Sequence, residues 1–100
     1  MTHAMNYAPK LVLGLPISDL RILDSFVERC IRDRVCLIAV VGPDASKVHD
    51  IIDEIIVGDG SDPSRFIATT FHEDEAIEDV LDFARLYEQE RDERVQLVRL

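Results

Sequence analysis

Two kinds of hydrophobic pattern alternate along this chain. Continuous apolar runs read as strands buried on both faces, and apolar residues recurring every three or four positions read as helices with one buried stripe. The first run is KLVLGL at residues 10–15, closed by Pro16. Ser18 is then placed to cap a helix, with Asp19 in its first turn, and Leu20, Leu23, Phe26, Val27, Cys30 and Ile31 form an apolar stripe to about residue 33. VCLIAVV at 35–41 reads as a central strand and Gly42-Pro43 stops it. Asp44 or Ser46 caps the next helix, whose stripe of Val48, Ile51, Ile52, Ile55 and Ile56 ends at Gly58. These β-branched residues are mediocre helix formers, so packing must hold the element together. RFIATTF at 65–71 is a third strand, a long acidic helix is expected over 74–92, and RVQLVRL at 94–100 is a fourth strand suited to an edge. Residues 1–9 have no periodicity and are expected to be a flexible lead-in to a single domain over 10–100.

The order β-α-β-α-β-α-β implies parallel strands joined by right-handed crossovers, hence a small three-layer, Rossmann-like α/β domain with an open four-stranded sheet. The preferred strand order is 2-1-3-4, a flavodoxin-like arrangement, with 3-2-1-4 as the alternative. In the preferred order the first helix covers one face and the other two helices cover the opposite face. One face of strands 3 and 4 is then thinly covered, and together with the open edge strand it invites a homodimer or another protein partner.

In open parallel sheets ligands bind at the carboxyl ends of the strands. Ser18, Asp44, Thr70 and His72 are the candidate ligand-binding residues there, with Ser46 and Glu73 close by in sequence. Known chemistries meet obstacles at these positions. No glycine-rich phosphate loop follows the first strand, where Pro16 removes a backbone donor. A phosphoacceptor receiver domain would carry acids after the first strand and an Asp after the third, where this chain has Leu15-Pro16 and Thr70-Phe71. Cys30 and Cys36 lack redox or metal-ligand spacing and read as core residues. No nucleophile elbow is present. In the run His72-Glu73-Asp74-Glu75 the side chains are consecutive, so they do not converge as ligands at i and i+4 would. No catalytic residue, metal or cofactor is therefore expected.

Charge sharpens the picture. The 100 residues carry a net −9, and all of the excess lies in the second half, where residues 51–100 hold fourteen acidic and five basic side chains. That sign disfavours nucleic acid and anionic membrane and favours cationic partners. No apolar run is long enough to span a bilayer and no secretory signal is visible. With two unpatterned cysteines, the cytoplasm is the expected location. On the third helix Glu75, Glu78, Asp79 and Asp82 share one outward arc, with Leu86 among them, and these five are the candidate partner-binding residues. The expected function is a non-catalytic acidic interaction module binding a basic protein. By composition alone, bacterial immunity proteins and antitoxins have this size and charge balance. A regulatory small-ligand domain using the strand-end crevice is the alternative.

Overall fold

The computed structural model describes residues 6–88 and 94–100. Four five-residue strands, β1 (Lys10–Gly14), β2 (Leu37–Val41), β3 (Ala68–His72) and β4 (Val95–Arg99), alternate with α1 (Leu23–Arg32), α2 (Ala45–Val57) and α3 (Ile77–Leu86). All neighbouring strands pair in parallel, in the order β3-β2-β1-β4. The α/β architecture expected from the alternating pattern is present, with the alternative order 3-2-1-4 in place of the flavodoxin-like 2-1-3-4. The helices are redistributed accordingly. Two consecutive right-handed crossovers step in one direction and put α1 and α2 on the same face, while the third steps back past β1 and puts α3 alone on the other.

β1 and β2 occupy the centre and are buried throughout, as continuous apolar runs require. Their alternate side chains split the core in two. Leu11, Leu13, Ile38 and Val40 pack under α1 and α2 against Phe26, Val27, Val48 and Ile52. Val12, Leu37, Ala39 and Val41 pack under α3 against Val80 and Ala84, with Ile77, Leu81, Phe83 and Tyr87 half-buried around them. β3 and β4 form the two edges, where Phe71 and Leu97 remain partly exposed.

Several boundaries move for identifiable reasons. Ser18 does not cap a helix; its N–H donates to the Leu100 carbonyl, and Asp19 instead caps a short 3-10 turn over Leu20–Ile22 that leads into α1. Leu20 accordingly falls outside the buried stripe and is exposed. β3 starts at Ala68 because Arg65 lies in a second 3-10 turn, Pro63–Arg65. There its guanidinium grips Glu28 of α1 at 3.0 and 2.7 Å and also donates to the Ile55 and Ile56 carbonyls near the end of α2. α3 runs only from Ile77 to Leu86, since Tyr87 is extended and Glu88 turns to φ +45°. The expected continuation to residue 92 falls partly on residues 89–92, and the lead-in partly on residues 1–5, which lie outside the described residues. Among the described residues, no helix is long and apolar enough to cross a membrane.

Candidate functional site

At the carboxyl edge of the sheet the four expected ligand residues do not converge. Ser18 is exposed and tied by its backbone to Leu100. Asp44 is exposed with φ +66°, and its side chain makes no capping hydrogen bond to α2. The capping role passes to Glu73 from the loop after β3, whose carboxylate accepts from the Ser46 N–H at 3.2 Å and from the Ser46 hydroxyl at 3.0 Å. A carboxylate on the first free amides of a helix is favoured by both hydrogen bonding and the helix dipole.

Thr70 and His72 do meet, because alternate residues of a strand share a face. The Thr70 hydroxyl lies 2.9 Å from His72 Nε2, and His72 Nδ1 lies 2.9 Å from a Glu75 carboxylate oxygen. The imidazole packs against Phe83 of α3, ring centres 5.0 Å apart, and the His72 side chain is 9% exposed. Hydroxyl, imidazole and carboxylate therefore stand in relay order. Thr70, however, is in mid-strand in register with Ala39 of β2, away from any turn where free backbone N–H groups face a developing oxyanion. The cluster fastens the loop after β3 to the sheet.

A second such cluster was not foreseen. On the opposite face of β3 the Thr69 hydroxyl donates to Asp53 at 2.6 Å and lies 3.0 Å from His49 Nε2, and the His49 ring packs edge-on against Phe71. Its sequence signal is the i, i+4 spacing of His49 and Asp53 on one helix, but the third member comes from a different element. Among the described residues, no group of three or more His, Cys, Asp or Glu side chains is placed to hold a metal ion. In the Gly58–Ser64 loop, Asp59 and Asp62 each accept from the serine two residues on, which holds both carboxyls below their usual range. Both cysteines are free. Cys30 is buried, and that burial pushes its thiol up to about 12, while Cys36 is half-buried.

The outward surface of α3 presents Glu78, Asp79, Asp82 and Leu86, all exposed, Leu86 at 63%. Glu75 does not belong with them as expected: it precedes the helix and is drawn to His72. Arg85 pairs with Asp82, so the basic side chain on this surface is already engaged. Glu78 and Asp79 sit in the first turn, where the helix dipole stabilises them despite their mutual repulsion.

No curated protein and no solved structure matches the chain. A family model does: residues 10–100 match the domain of unknown function DUF7684, and the chain belongs to that family.

Proposed function

We propose that this domain is a non-catalytic interaction module whose partner presents a basic surface to α3. The observation that carries this reading is the exposed face of α3. That helix lies alone on its side of the sheet, with Glu78, Asp79 and Asp82 in solvent and Leu86 exposed among them. Carboxylates on such a face accelerate encounter with a cationic surface, and an exposed apolar residue supplies contact area once docked. The charge of the second half of the chain adds to the steering. A cationic nucleic-acid-acting protein held inactive by such a module is one partner of the right chemistry. The free thiols suit the reducing cytoplasm as the setting. The alternative, a small-ligand site at Ser18, Asp44, Thr70 and His72, has less support because those residues are committed to separate contacts or to solvent.

The test is affinity purification from the native host with wild type and an Asp79→Lys/Asp82→Lys double variant, washed at increasing salt. The reading requires a basic protein held by wild type, released by salt and lost from the variant. Equal recovery of the same protein by both overturns it.

A further inference from the structure

At the amino edge of the sheet, opposite to where ligands of open parallel sheets usually lie, a cleft of about 620 Å³ opens between the end of α1, the starts of β2 and β3, and the end of α3. That volume is within the range of small-molecule sites, roughly 300–1,000 Å³. One wall is apolar and aromatic: Phe66, 77% exposed, stands with Ile67, Val35 and Tyr87. The polar wall carries Arg32 and Arg34.

These arginines set the chemistry. Both are exposed, and neither guanidinium makes a hydrogen bond or ion pair among the described residues. The carboxylate one turn before Arg32 on α1 is Glu28, and its two oxygens are already taken by Arg65 at 3.0 and 2.7 Å. Arg34 sits just past the end of α1 at φ +62°, a position where glycine is the usual residue. Against these two cations, the lining among the described residues includes one carboxylate, Glu88. In a chain of net charge −9 the cleft places two guanidinium groups beside an uncovered aromatic ring.

We propose that this cleft binds a small organic carboxylate, its anion held by the guanidinium groups of Arg32 and Arg34 and its apolar body lying against Phe66. A planar carboxylate matches the two-pronged donor geometry of arginine, and the ring supplies a surface for a flat apolar body.

Naphthoate and its neutral isostere naphthamide are the probes, followed by amide NMR shifts in the full chain. The proposal expects saturable shifts confined to residues 31–36, 64–68 and 87–88 with naphthoate, and about tenfold weaker binding of naphthamide, as loss of one charge-assisted hydrogen bond implies. Arg32→Gln and Arg34→Gly should each weaken naphthoate severalfold. The glycine variant keeps the left-handed backbone and so separates loss of the guanidinium from loss of the fold. Equal binding of the two probes, shifts centred elsewhere, or no shift at millimolar naphthoate would overturn the proposal.

Discussion

The ammonium of Lys10, a residue wholly buried at the start of β1, donates a hydrogen bond to the backbone carbonyl of Tyr87, just past the last residue of α3. The Arg85 carbonyl lies 3.4 Å from the same nitrogen. A cation at the negative end of a helix satisfies carbonyls that have no partner within the helix. The contact joins the central strand to the end of α3 and holds the helix so that Val80 and Ala84 face the sheet while Glu78, Asp79 and Asp82 face solvent.

Lys10→Met preserves length and apolar stem but removes the ammonium that donates to those carbonyls. The expected loss is about 1.5–3 kcal/mol of unfolding free energy, the range for hydrogen bonds to charged groups. Urea denaturation measures it, and an unchanged midpoint would show that the tie contributes nothing.

The pairing of Glu28 with Arg65 predicts a pH dependence. Hydrogen bonding from Arg65 lowers the Glu28 carboxyl from its ordinary value of 4.5. A group whose folded value is depressed contributes stability above its unfolded value, and that contribution is lost as pH falls through the folded value. The stability difference between wild type and Glu28→Gln should therefore be constant at neutral pH and shrink on acidification below about 4.5. Denaturation across that range checks it, and a difference that grows on acidification contradicts the assignment. The effect is small because Glu28 is half exposed and solvent screens the pair.

Cysteine reactivity separates the two thiols. Cys30 is fully buried with its thiol pushed up to about 12, so it carries almost no thiolate at neutral pH, whereas Cys36 is half-buried at the rim of the amino-edge cleft. Iodoacetamide should label Cys36 in the native protein and Cys30 only after unfolding, as peptide mass mapping reads directly. Equal labelling rates would contradict the packing of α1.

How much of this was legible depended on how far apart the interacting residues lie. β1 and β2 were readable because central parallel strands must be apolar on both faces. The outward arc of Glu78, Asp79, Asp82 and Leu86 on α3 was readable from its spacing. Strand order was not, since β-α-β alternation is the same in both orders and the difference lies in which face α2 packs against. The start of β3 was misjudged because Arg65 is recruited by Glu28, 37 positions earlier. Glu75 left the acidic stripe because His72 offers it a partner three residues away, which helical periodicity cannot register. Lys10 opens the first apolar run, and its partner lies 77 positions later.

Steering of a basic partner by the carboxylates of α3, as proposed, is open to a kinetic test. The most direct measurement is the association rate of the recovered partner with wild type and with Asp79→Lys across a range of ionic strength. Steering requires a wild-type rate that falls steeply with salt, a slower and flatter profile for the variant, and nearly equal thermal stability of the two proteins. Superimposable salt profiles for wild type and variant would contradict it.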